Sequence, residues 1–166
     1  MRFRDPDIVS LVASSILQTL KLPKRHSAEM KQYRKKVLSC QCRELEKFLQ
    51  FRKSAEAQEQ ADRLGIGDLG QFSWADRKDG GKLGDLERGI FVFEHTMPVE
   101  ILIEQLLSLK SPTLVSVQSV ISKAEVSWMT KSEKDRFDKQ RRRHKNDNPA
   151  QALFDARIVL CDEFSD

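Results

Sequence analysis

The 166-residue chain predicts an α+β fold with long helices first and a small sheet behind them. Three observations lead there. Apolar residues before position 65 recur at helical spacing, and no glycine interrupts them. All seven glycines fall between Gly65 and Gly89, which marks a stretch of loops and turns. Beyond it, short β-forming runs alternate with amphipathic ones. The expected organisation is a helical N-terminal region over 1–64 and a Gly-rich connecting loop over 65–89. A small α+β region follows over 90–166, a three-stranded sheet covered by short helices. All three belong to one compact domain.

Asp5 and Pro6 suit an N-cap and a first helical position. Ile8, Leu11, Val12, Ile16 and Leu20 then form an amphipathic stripe, and Pro23 ends that helix. Ser27 caps a second helix, with Glu29 in its first turn. Neither Gly nor Pro stops it before about Leu64, so one helix is expected over 27–64. Met30, Tyr33, Val37, Leu45, Phe48, Arg52 and Ala55 line one side of it at near-heptad spacing. Such an arm would self-associate or dock a partner protein, and it would contact Ile8, Leu11 and Leu20 of the first helix.

Residues 89–95 read as a strand. Thr96 is placed to cap a helix opening near Pro98, with Val99, Leu102, Ile103, Leu106 and Leu107 on its apolar face. Residues 113–122 read as another helix and 125–129 as a strand. Thr130-x-x-Glu133 is a capping box that starts a helix at Lys131. Asn148-Pro149 opens a last short helix, and 157–161 is a closing strand.

Charge is unevenly placed. Residues 21–53 hold eleven Lys/Arg against three acids, and 131–145 hold eight against three. The segments after each are acidic, and the whole chain carries +4. Basic blocks bind phosphate or dock on acidic neighbours. The run Arg141, Arg142, Arg143, His144 and Lys145 is the densest and is the candidate nucleic-acid grip. Trp74 and Trp128 could stack bases, although core packing is the commoner use of tryptophan.

Several classes are excluded. Cys40, Cys42 and Cys161 form no C-x-x-C pair, which leaves three free thiols and no four-cysteine zinc site. The glycines match neither a dinucleotide fingerprint nor a P-loop. The longest uncharged run, 8–20, is too short and polar to span a bilayer. There is no secretory h-region either, so a cytoplasmic protein without membrane contact is expected.

Glu94-His95-Thr96-Met97-Pro98 is the sharpest motif. A carboxylate can hold a divalent ion, and a neutral imidazole can take a proton from water near pH 7. Asp85 and Glu87 could add carboxylates beside it. The E-H-x-x-P run resembles the opening motif of the HNH, or ββα-metal, nucleases. The resemblance covers about five residues and implies His95 as general base and Glu94 as ligand to a divalent metal such as Mg²⁺. In that family a second strand and short helix bring an Asn and a second His or Asn. Here Pro98 opens an apolar helix, and the next histidine is His144, with Asn146 beyond it. The resulting expectation is a nucleic-acid-associated protein, an HNH-like metal-dependent nuclease or an inactive relative. The alternative is a non-catalytic helical protein-interaction module.

Overall fold

The structure is a computed structural model that describes residues 6–22, 27–49, 51–73, 76, 83, 89–144 and 148–161. Asp5, Pro23, Trp74, Asp85, Glu87, Lys145 and Asn146 lie outside the described residues. In chain order the elements are α1 (Pro6–Lys21), α2 (Ala28–Leu45), β1 (Arg52–Ser54), α3 (Ala55–Arg63), β2 (Phe91–His95) and α4 (Val99–Ser108). They continue with α5 (Leu114–Ile121), β3 (Val126–Thr130), α6 (Lys131–Arg143), α7 (Pro149–Asp155) and β4 (Leu160–Cys161). Single 3-10 turns occupy Glu46–Phe48 and Leu69–Gln71. The fold is α+β as expected, with four strands in place of three.

The expected helix over 27–64 is not continuous. Ser27 caps α2 by accepting from the Met30 amide, but α2 ends at Leu45. The chain then tightens into the 3-10 turn, extends through β1, and restarts as α3 under a new cap, Ser54. Phe51 is buried and Ser54 is fully buried, so tertiary contacts override the local helical preference of this stretch.

By contacts the chain divides into two compact units, 1–49 with 97–124, and 50–96 with 125–166. The first unit is helical. Here α1 packs on α2 and α5, and α4 packs on α2 and α5. Val9, Ala13, Ile16 and Leu20 of α1 are buried, spaced four, three and four apart on one face. Leu11, expected in that stripe, is 70% exposed because it falls on the opposite side. Leu38, Cys42 and Leu45 of α2 and Leu102, Ile103 and Leu106 of α4 are buried, and the two helices pack on each other. Gln41 ties α2 to α1 through Ser15 Oγ (2.8 Å) and Thr19 Oγ1 (3.1 Å). α5 begins with a capping box made by Thr113 and Ser116.

The second unit is built on a sheet of order β2-β3-β1-β4, with β1 parallel to β3 and the other pairs antiparallel. Side chains alternate across it. Phe93 and Trp128 lie on one face with Phe51, at ring separations of 4.7 Å (Phe51–Phe93) and 4.9 Å (Phe93–Trp128). Trp128 is fully buried and donates its Nε1–H to the Phe72 carbonyl, so it is a core residue and not a base-stacking one. On the other face Val92 and Met129 join Phe137, Ala152, Ala156 and Ile158 in a core under α6 and α7.

Because β1 and β3 run parallel and each leads directly into a helix, two helix N-termini arise at the same end of the sheet. Their caps are linked. Ser54 Oγ accepts from the Ala57 amide and donates to Glu133 Oε2 (2.5 Å), which also accepts from the Thr130 amide (2.9 Å). Thr130 Oγ1 completes the predicted capping box and donates to Glu56 Oε1 (2.9 Å), itself in the first turn of α3. Carboxylates thus occupy the positive ends of both helices.

Candidate functional site

Glu94 and His95 end β2, paired with Ser127 and Val126 of β3. The motif therefore sits at a strand end, as its sequence suggested. Neighbouring residues of a strand point to opposite faces, so the acid and the imidazole do not converge. His95, half-buried, shares the aromatic face with Phe93 and Trp128. Glu94 lies on the α6 face, where Arg141 NH1 stands 3.3 Å from Oε1 and Lys134 Nζ 3.6 Å from Oε2.

A polar layer surrounds Glu94. Across the sheet at its level are Ser127 of β3 and Arg52 of β1, whose NH1 donates to Glu125 Oε1 at 2.7 Å. Lys134 bridges Glu94 and Asp138. Burial works against the Lys134 charge, but the hydrogen bond to Asp138 and the nearby Glu94 carboxylate hold its ammonium above its ordinary value. Both Glu94 oxygens thus already face cations, and this donor set does not fit a divalent ion. Among the described residues no group of three His, Cys, Asp or Glu side chains is arranged to hold a metal. Thr96 does not cap α4 either. Pro98 occupies the cap position, and Thr96 Oγ1 is buried with no hydrogen-bond partner among the described residues.

The arginine run at the end of α6 is divided in the same way. Arg141 turns inward to Glu94 and Asp138, with its guanidinium 5.6 Å from the centre of the Phe137 ring. Arg142 and Arg143 are exposed, donating to the Asp138 carbonyl and to Gln140. His144 Nε2 lies 2.8 Å from Asp155 Oδ2. That contact, with a second hydrogen bond from Gln151, holds the Asp155 carboxyl below its usual range. Of the proposed phosphate grip, two side chains therefore remain directed to solvent among the described residues.

A better surface lies on α2, outside the predicted run. Lys31, Lys35, Lys36 and Arg43 are all exposed. Among the described residues none of their side chains enters a hydrogen bond or ion pair. The acids nearby are Glu29, Glu44 and Glu46, with Glu44 paired to Lys47 at 2.6 Å. Tyr33 stands on the same helix, 59% exposed. The signal was present in the charge of residues 21–53, but the buried-stripe reading assigned Tyr33 to an apolar seam.

No helix among the described residues is long and apolar enough to cross a membrane. Compared with protein-family models, with curated proteins and with solved structures, the chain matches none.

Proposed function

We propose that this is a nucleic-acid-associated protein that grips phosphates with the exposed cations of α2 and performs no joint chemistry at Glu94 and His95. The observation that carries the reading is the set of four exposed cations on α2, Lys31, Lys35, Lys36 and Arg43, with no internal partner among the described residues. An unpaired Lys or Arg releases condensed counterions when it meets a phosphate, and this drives binding without base recognition. The end of α6 is less suited to the task. Arg141 is committed to Glu94, and Asp135, Asp138 and Asp155 place negative charge along or beside that helix.

The test is fluorescence anisotropy with labelled oligonucleotides over a range of salt. The combined variant Lys35→Glu, Lys36→Glu and Arg43→Glu should weaken binding. It should also reduce the slope of log affinity against log salt by about 0.7 to 0.9 for each phosphate that is no longer neutralised. Reversing Arg142 and Arg143 should have the smaller effect. Absence of binding at low salt, or the larger loss in the α6 variant, would remove this reading.

A further inference from the structure

We infer that the α2 face takes nucleic acid in single-stranded form, with Tyr33 as the platform on which an unpaired base stacks. This rests on the reading of α2 as the phosphate-contacting face and adds the class of strand to it. Tyr33, Lys36, Cys40 and Arg43 follow one another at intervals of three, four and three residues. All four are exposed. Such intervals keep side chains on one strip of a helix, here about 15 Å long at about 1.5 Å per residue. The strip begins with an aromatic ring and continues with two cations that have no internal partner among the described residues.

The ring is what separates the two forms of nucleic acid. Tyr33 belongs to a helix that buries Leu38, Cys42 and Leu45 on its other side, so the core makes no use of this ring. A duplex offers its phosphates to Lys36 and Arg43 but keeps its base faces stacked inside. A single strand offers both, and an exposed aromatic beside cations is the arrangement that proteins use to bind it without sequence preference. Arg34, the next residue, is drawn toward the end of α1 by its hydrogen bond to the Leu22 carbonyl (2.7 Å), which leaves the ring flanked by Lys36 one turn on.

The experiment compares labelled single-stranded oligonucleotides with a hairpin duplex of the same composition, using the full chain and the variants Tyr33→Ala, Tyr33→Phe and Lys36→Glu. Tyr33→Ala should weaken single-strand binding by about 5- to 100-fold and duplex binding by less than about twofold. Tyr33→Phe should keep nearly all single-strand affinity, since the π-face and not the hydroxyl does the stacking. Lys36→Glu should weaken both. Duplex binding as tight as single-strand binding, with Tyr33→Ala silent on both, would overturn the inference and leave the phosphate-contacting face of α2 intact. Loss of affinity in Tyr33→Phe equal to that in Tyr33→Ala would also overturn it. A wild-type chain that binds neither form would overturn the inference together with the reading beneath it.

Discussion

Glu133→Ala strikes the junction where two strands become two helices. Glu133 is 1% exposed, and its Oε2 accepts from the Ser54 hydroxyl and the Thr130 amide. Both donors are buried, and removing the carboxylate leaves each without that acceptor. An orphaned buried donor costs about 1 to 3 kcal/mol. The cap made by Thr130 Oγ1 on the residue-133 amide survives, as does the Ser54 cap on Ala57, so helix initiation itself is kept. With two such donors the expected loss is about 2 to 6 kcal/mol, a large part of the roughly 5 to 15 kcal/mol that holds a domain together. Urea unfolding followed by tryptophan fluorescence reads it, because Trp128 is buried in the same unit. A double-mutant cycle with Ser54→Ala should return a coupling of about 1 to 3 kcal/mol. A loss below about 1 kcal/mol, or strict additivity with Ser54→Ala, would refute the linkage between the caps.

Two further outcomes follow from the same geometry. Burial, and then the Glu46 carboxylate, push the Cys42 thiol up to about 12, while Cys40 two residues away is exposed. A thiol reagent at neutral pH should therefore modify Cys40 first, the half-buried Cys161 more slowly, and Cys42 only on unfolding; early modification of Cys42 would contradict its packing. On the acid side, burial opposes ionisation of Glu56 and Asp68. Hydrogen bonds from Arg136, Ser132 and Thr130 to Glu56, and from Lys53 and the Gly70 amide to Asp68, nevertheless hold both carboxyls below their ordinary values. Groups lowered in this way add stability above their unfolded-state value, and that stability is lost as pH falls through the folded one. The urea midpoint should thus decline below about pH 4, and Glu56→Gln should soften the decline. An unchanged acid profile in that variant would count against the role of Glu56.

The C-terminal half was the most legible part of the sequence because its signals are local. The Thr130 and Glu133 box and Asn148-Pro149 each act within four residues, and each starts the helix it announces. β1 was not legible. A three-residue strand is too short to establish a period of two, and no Gly or Pro flanks it. The ion pair of Glu94 with Arg141 spans 47 positions, a separation that no local pattern records. The divergence of Glu94 and His95 was within reach. Once 89–95 reads as a strand, adjacent residues must point to opposite faces, and that argument needed no structure.

The hydrogen bond from the Thr96 amide to the Glu125 carbonyl (3.1 Å) closes the neck of the segment that carries α4 and α5. This has a consequence for the order in which a nascent chain can mature. α1 and α2 leave the ribosome more than 50 positions before the first of the helices that cover them, and β1 waits still longer for β3. Neither unit can close on what has been made up to residue 96. The apolar faces of Ile16 and Leu38 remain uncovered by α4 and α5 during that interval, when hydrophobic surface invites misassociation. The alternating path of the chain therefore makes both units late, and completion of one follows closely on completion of the other.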